Sequence, residues 1–403
     1  MKDRFQKTLI FLASLLVFAG CAVQTGTDRY VVVLSMDGFR TEYLSRAHTP
    51  TLDSLARAGV KAAFRPSFPS VTFPNHYSMA TGLHPDHHGL INNFFYAPDL
   101  DLIYRIGDDA AVTNPAFYGG EPIWNTAEKQ GVRAASFFWV GSEALIQGMQ
   151  PSINKKYDKS VPFMNRADSV IAWLKLPADR RPHLVMWYME EPDAIGHSDT
   201  PDSASVIRMV EAQDKILAHF FAEARKLPHF GQIDFIIVSD HGMATYTPEN
   251  YVNLNDYLPR DSFDYVFDGV PTLLYPKKTY ADRAMTILGD VPRVKAYTRN
   301  SLPPQYVYGT NPRIGDIVVV PDVGTYVQFR SESRPRLGGA HGYDNFAPEM
   351  EGIFFAAGPS FKKNTELPAM ANVNLYLIIA RLLHLEPAAN DGDDAIVGQL
   401  FKR

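Results

Sequence analysis

The sequence predicts a layered α/β fold built around a mainly parallel sheet. Three observations carry this reading. Short apolar runs rich in β-branched and aromatic residues alternate with longer stretches of helical period. The interiors of the runs are apolar, as strands covered on both faces require. Asp37, Asp193 and Asp240 each follow such a run directly or within a few residues, and ligands collect beyond the carboxyl ends of strands in folds of this kind.

The first twenty residues stand apart from the fold. Lys2, Arg4 and Lys7 precede an apolar stretch from Leu9 to Phe18, which is too short for an ordinary membrane span. It runs into Val17-Phe18-Ala19-Gly20-Cys21, which resembles a bacterial lipobox except for Phe18. The expectation is a lipoprotein signal peptide over 1–20, lipidation of Cys21 and a short tether to residue 28. A plain secretory signal with an incidental cysteine is the alternative. In both cases the protein is exported, and in the first it is held to a bacterial membrane in the cell envelope. Cys21 is the only cysteine, so no disulfide is expected.

Residues 29–403 then read as a single catalytic domain. Tyr30–Ser35, His183–Met189, Asp234–Ser239 and Ile353–Ala357 read as strands. Thr49–Ala58, Ile123–Gln130, Met164–Leu174 and Ser203–Arg225 read as helices. Residues 262–335, rich in Tyr, Pro and Arg, read as a small α+β insertion containing the apolar run Ile317–Pro321. Pro387–Arg403 reads as a loosely packed end. The chain has 403 residues, 46% hydrophobic and 21% charged, so a sizeable core is available. A formal net charge of −5 gives no basic footprint for a nucleic-acid groove.

Carboxylates and imidazoles lie close together in Asp193-Ala194-Ile195-Gly196-His197 and in Ser239-Asp240-His241-Gly242. With Asp37 before Gly38, and His341 among Gly338, Gly339 and Gly342, they make three Asp and three His. That set suffices for two oxygen- and nitrogen-ligated metal ions, and paired metals suit phosphoryl transfer. Asp193 and His197 are spaced to share one turn of helix. Asp240 and His241 follow a strand, so both reach one metal pair only if the chain turns there. Thr72 lies between Pro69 and Pro74, near a predicted helix start that would favour a bound anion. It is the candidate nucleophile. Each residue alone has an ordinary structural explanation, as cap, turn or surface polarity; their shared position at strand ends does not.

The chain resembles the nucleotide pyrophosphatase/phosphodiesterase family of the alkaline phosphatase superfamily. The resemblance rests on Ser35-Met36-Asp37-Gly38-Phe39-Arg40, Phe68-Pro69-Ser70-Val71-Thr72-Phe73-Pro74-Asn75-His76, Thr81-Gly82-Leu83-His84-Pro85 and Phe137-Phe138-Trp139-Val140-Gly141-Ser142. It continues through Glu191-Pro192-Asp193, Gly196-His197, Ser239-Asp240-His241-Gly242-Met243 and Gly339-Ala340-His341-Gly342-Tyr343-Asp344-Asn345. It implies an alkaline-phosphatase-like fold and two zinc ions per chain. Asp193, His197 and His341 would hold one ion; Asp37, Asp240 and His241 would hold the other, with Thr72 beside it. It also implies a phosphothreonine intermediate, a phosphate oxygen on Asn93 (Asn92 being the neighbouring alternative), and a nucleobase between Phe73 and Tyr188. The substrate would be a small phosphodiester, a nucleotide by preference. Val140 and Thr200 depart from a proline and a glycine common in the family. The rival readings are a phosphomonoesterase of the same superfamily and an inactive lipid-anchored binding protein.

Overall fold

The computed structural model describes residues 29–330 and 336–402. The expected signal peptide, the tether and Cys21 lie outside the described residues. The central sheet has nine strands. Those that position the site are β1 (Tyr30–Met36), β2 (Val60–Arg65), β3 (Ala134–Phe137), β4 (Ile153–Lys155), β5 (Leu184–Met189) and β6 (Ile233–Val238). A short strand β7 (Ala244–Tyr246) lies outside this sheet.

The helices predicted from periodicity are present within a residue or so of the expected ends. They are α1 (Pro50–Ala58), α3 (Ile123–Lys129), α4 (Phe163–Leu174) and α6 (Ala204–Ala224); between them lie α2 (Thr72–Thr81), which starts at the candidate nucleophile, and α5 (Asp193–Asp199), which carries the Asp193 and His197 pair. The insertion is a four-stranded antiparallel sheet of β8 (Phe263–Phe267), β9 (Thr272–Pro276), β10 (Val294–Thr298) and β11 (Ile317–Pro321), in the order β8-β9-β11-β10. Helix α7 (Ala281–Leu288) packs on it, and Leu274, Leu288, Ile317 and Val319 fill its own core.

β12 (Gly338–Ala340) pairs with β7, and β13 (Gly352–Ala357) returns the chain to the central sheet. β13 lies between β6 and β2 and is antiparallel to both, whereas β1 is parallel to β5 and β6. The sheet is therefore mainly parallel with one reversed strand. Side chains of β1 alternate between two cores. Val31 and Val33 face α2, α3 and α8 (Asn374–Leu382); Val32 and Leu34 face α1, α4 and α6. Both faces are covered, which explains the uninterrupted apolar runs.

The tail differs from expectation. Helix α9 (Asp394–Gly398) is capped by the Asp393 side chain, and Val397 and Leu400 are fully buried. Phe401 stacks on Phe361 with ring centroids 5.4 Å apart. Apolar residues at 397, 400 and 401 give this segment a face to bury, so it packs down.

Candidate active site

Asp37 lies directly after β1, Asp240 just after β6, and Asp193 opens α5 beyond β5. All three strands run parallel, so the three carboxylates reach the same edge of the sheet. Gly38 has φ +65°, and a Cβ there would lie 2.8 Å from Asp193 Cβ. The first and second loops can close on each other only with glycine at this position. Gly242 is placed by close approach: a Cβ there would lie 2.2 Å from the Glu349 carbonyl oxygen.

The six expected ligands come together. His241 Nε2 lies 3.5 Å from Asp37 Oδ1 and 3.2 Å from Asp240 Oδ2. His197 Nε2 lies 3.4 Å from Asp193 Oδ2, and His341 Nε2 lies 3.6 Å from Asp193 Oδ1. The imidazoles are pinned from behind. His197 Nδ1 is 2.8 Å from the Gly339 carbonyl, His241 Nδ1 is 2.8 Å from that of Gly242, and His341 Nδ1 is 2.9 Å from that of Ser70. A carbonyl only accepts, so each Nδ1–H is the donor and each Nε2 is the ring nitrogen turned to the cluster, as in metal-ligating imidazoles.

Electrostatics shows what this cluster lacks. Asp37 Oδ1, Asp193 Oδ1 and Asp240 Oδ2 are buried without a hydrogen-bond partner. Burial, reinforced by the neighbouring carboxylates, pushes Asp37 and Asp240 well above the usual carboxyl range. Burial lowers His241, and lowers His341 to about 4. At His197 burial opposes protonation, but the Asp193 carboxylate outweighs it and raises the imidazole to about 9. The Nε2 atoms of His341 and His197 are 3.1 Å apart, and the proton that Asp193 favours on His197 lies between them. A divalent cation would take the place of that proton and would also satisfy the orphaned carboxylate oxygens. The donor set therefore fits divalent metal, and its mixture of carboxylate and imidazole suits zinc.

Thr72 is the first residue of α2, and its hydroxyl lies 3.2 Å from His241 Nε2. The Phe73 backbone N–H donates to Asn93 Oδ1 at 3.0 Å, which leaves the Asn93 amide NH2 as a donor beside the nucleophile. Asn92 is more buried, and its Oδ1 accepts from the Asn93 backbone N–H.

A cavity of about 380 Å³ opens from Asp37, Thr72 and Asp193 and is walled by Phe73, Trp139, Val140 and Tyr157. Val140 thus lies in the cavity wall, whereas Thr200 ends α5. Tyr188 also borders this cavity, but it is buried and donates its hydroxyl to Asp37 Oδ2 at 2.6 Å.

Two residues of the site were not singled out from the sequence. His76, fully buried, has Nδ1 2.9 Å from the Thr72 carbonyl and 3.3 Å from Asp240 Oδ2, and Nε2 2.8 Å from Ser35 Oγ. It stands in the quoted Pro74-Asn75-His76 segment, one helical turn after Thr72, and that spacing was the available clue. Tyr157 is 44% exposed and presents its ring to the cavity. It follows the three-residue strand β4, which is too short to show a period.

Residues 31–344 match the sequence model described as type I phosphodiesterase / nucleotide pyrophosphatase. A venom phosphodiesterase of Crotalus durissus collilineatus is 35% identical over 92% of this chain and 46% of its own length. The ectonucleotide pyrophosphatase/phosphodiesterase family member 3 of Rattus norvegicus is 33% identical over 92% of this chain and 44% of its own. The chain thus spans about half the length of these relatives. Among solved structures, an inactive form of murine ectonucleotide pyrophosphatase/phosphodiesterase 5 in complex with AMP superposes with a TM-score of 0.89 at 29% identity. That match covers 93% of this chain and 100% of the murine one.

Proposed function

The chain belongs to the type I phosphodiesterase / nucleotide pyrophosphatase family, and from that premise we propose that it hydrolyses nucleotide phosphodiester or phosphoanhydride bonds through a phosphothreonine on Thr72. One observation carries the reading. Three buried carboxylate oxygens without partners and three inward-facing imidazole Nε2 atoms converge beside the Thr72 hydroxyl. Asp193, His197 and His341 would hold one zinc ion, and Asp37, Asp240 and His241 the other. Bound there, the two ions supply Lewis-acid charge for the attacking, leaving and equatorial oxygens of an in-line displacement.

The chain's own residues do the rest. α2 begins at Thr72, so the helix N-terminus favours the phosphate dianion. The Asn93 amide, oriented by its acceptance from Phe73 N–H, donates to a phosphate oxygen. Thr72 Oγ1 forms a bond to phosphorus as the leaving oxygen departs. Water then attacks the phosphothreonine in line and restores the hydroxyl. Tyr188 fixes Asp37, and His76 donates from Nδ1 to the Thr72 carbonyl and so holds the backbone of the nucleophile. Phe73, with Tyr157 across the cavity, provides the apolar walls for a nucleobase. The murine neighbour's complex with AMP supports a nucleotide in this position.

The test is turnover of p-nitrophenyl thymidine 5′-monophosphate by residues 22–403 with zinc, beside Thr72→Ala. Loss of turnover by about a thousandfold or more in the variant, at unchanged fold and zinc content, is expected. Full activity in the variant would exclude Thr72 as nucleophile. Cleavage of p-nitrophenyl phosphate in preference to the diester would make the protein a monoesterase. Export and acylation at Cys21 complete the proposal; palmitate label lost in Cys21→Ser is the expected outcome.

A further inference from the structure

The edge of the central sheet opposite the catalytic rim is cationic. Strands β1, β5 and β6 begin there, and the antiparallel β13 ends there. Arg225 and Lys226 follow α6, Arg180 and Arg181 precede β5, and Lys363 follows β13. Lys402 joins them, with its Nζ 2.6 Å from the Pro359 carbonyl. Acidic residues are interspersed at this edge: Asp179 precedes β5, Glu223 is paired with Lys226, Glu128 accepts from the Ala134 N–H at the start of β3, and Glu366 is paired with Lys61 beside the start of β2. Asp234 is buried and bound to Ser360. This basic edge belongs to a chain whose formal net charge is −5.

A cavity of about 410 Å³ opens at the same edge. Leu55, Phe221, Phe230 and Phe235 line it, with Arg225, Lys363 and Lys402 around it. The surface continues from Phe230 to His229, whose ring lies 4.9 Å from that of Tyr30. Arg181 covers Tyr30 and donates to its hydroxyl at 3.0 Å. Tyr30 opens β1, so the chain enters the fold through this face.

We propose that this face docks on an anionic phospholipid bilayer, with the headgroups on its arginines and lysines and the catalytic rim turned away from the membrane. Charge complementarity and the entry point of the chain select this occupant. The seven residues 22–28 reach at most about 25 Å when extended, so a protein held at Cys21 would keep this face near the lipid. The cationic surface itself requires neither acylation nor the proposed hydrolysis. It therefore predicts binding by a chain without Cys21.

The experiment is sedimentation of residues 22–403, which contain the whole described fold, with two kinds of vesicle: pure phosphatidylcholine, and equal parts phosphatidylcholine and phosphatidylglycerol. Binding to the mixed vesicles alone is expected, lost between roughly 0.05 M and roughly 0.5 M salt. The combined variant Arg180→Gln, Arg225→Gln, Lys363→Gln, Lys402→Gln should weaken it about fivefold per charge removed. The melting temperature of this variant should match that of the unmodified chain, which shows the fold intact. Lys278→Gln with Lys295→Gln, on the insertion, should bind as the unmodified chain does. Absence of binding, equal binding to phosphatidylcholine, an unaffected fourfold variant, or equal loss in the insertion variant would each overturn the proposal.

Discussion

One strained backbone position stands beside the site. Thr200 closes α5, the helix that carries Asp193 and His197, with φ +73° and ψ +149°. That combination is nearly confined to glycine, and a non-glycine residue held there costs about 1–3 kcal/mol. The departure from a family glycine, visible in the sequence, thus has a backbone cost that the sequence could not show. Thr200→Gly is expected to raise stability by about 1 kcal/mol after glycine's greater unfolded-state entropy is deducted. Urea unfolding measures it; a destabilised variant would show that Thr200 side-chain contacts outweigh the strain. His88 tests burial in another way. The Leu90 backbone N–H donates to its Nδ1 at 3.1 Å, leaving Nε2–H to donate to Ser78 Oγ at 3.0 Å. Burial pushes this imidazole down to about 3 from an ordinary 6.5. Its folded pKa is depressed, so the unfolded chain takes up the proton first as pH falls. Stability from this group is full above pH 6.5 and is lost progressively toward pH 3. Against the unmodified chain, His88→Asn should flatten the acid-side slope by up to about 1.4 kcal/mol per pH unit. Urea midpoints between these limits, compared for both proteins, are the measurement. Parallel slopes would mean that His88 does not fold as a buried neutral ring.

Among the elements, those with a sustained pattern were legible. β1, β5, β6 and β13 are mostly apolar runs, and α1, α4 and α6 carry a helical period. The reversed direction of β13 was not legible, because a strand buried on both faces reads alike in either sense. The Asp and His ligands were legible because Asp37, Asp193 and Asp240 lie at or near strand ends. Tyr157 was not, since the chain folds it over the cavity through tertiary contacts such as Phe138, 5.3 Å away between ring centroids. The tail was misread because its apolar residues are few and spaced across a short helix. Its packing gives a sharp expectation. Removing residues 394–403 exposes the pockets of Val397 and Leu400 and frees Phe361 from Phe401. At about 1.5–3 kcal/mol per buried side chain, the truncation should cost about 3–6 kcal/mol. A melting temperature within a degree or two of the intact chain would show the tail to be dispensable to the core.

Across the whole molecule, the candidate centre binds together parts of the chain that are far apart in sequence. Its six candidate ligands run from Asp37 to His341 and come from segments that follow β1, β5, β6 and β12. A cation held there touches the ends of strands that share one sheet and one pair of cores. The unfolded chain offers no such preformed site, so metal binding adds to global stability. At a free concentration one hundred times its dissociation constant, each ion contributes about 2.7 kcal/mol. Two ions should therefore give a shift of several degrees in melting temperature between zinc-loaded and chelator-treated protein. The direction follows from the cluster itself. Its buried carboxylates repel one another, and the His197 and His341 Nε2 atoms meet at 3.1 Å. Asp193→Asn is expected to bind about one zinc ion fewer by elemental analysis and to lose part of the shift. Asp37→Asn should do the same at the other position. A single cooperative transition that moves with zinc would tie the centre to the whole fold. A melting temperature indifferent to chelator, in protein verified to have lost its metal, would exclude a structural contribution and confine the ions to chemistry.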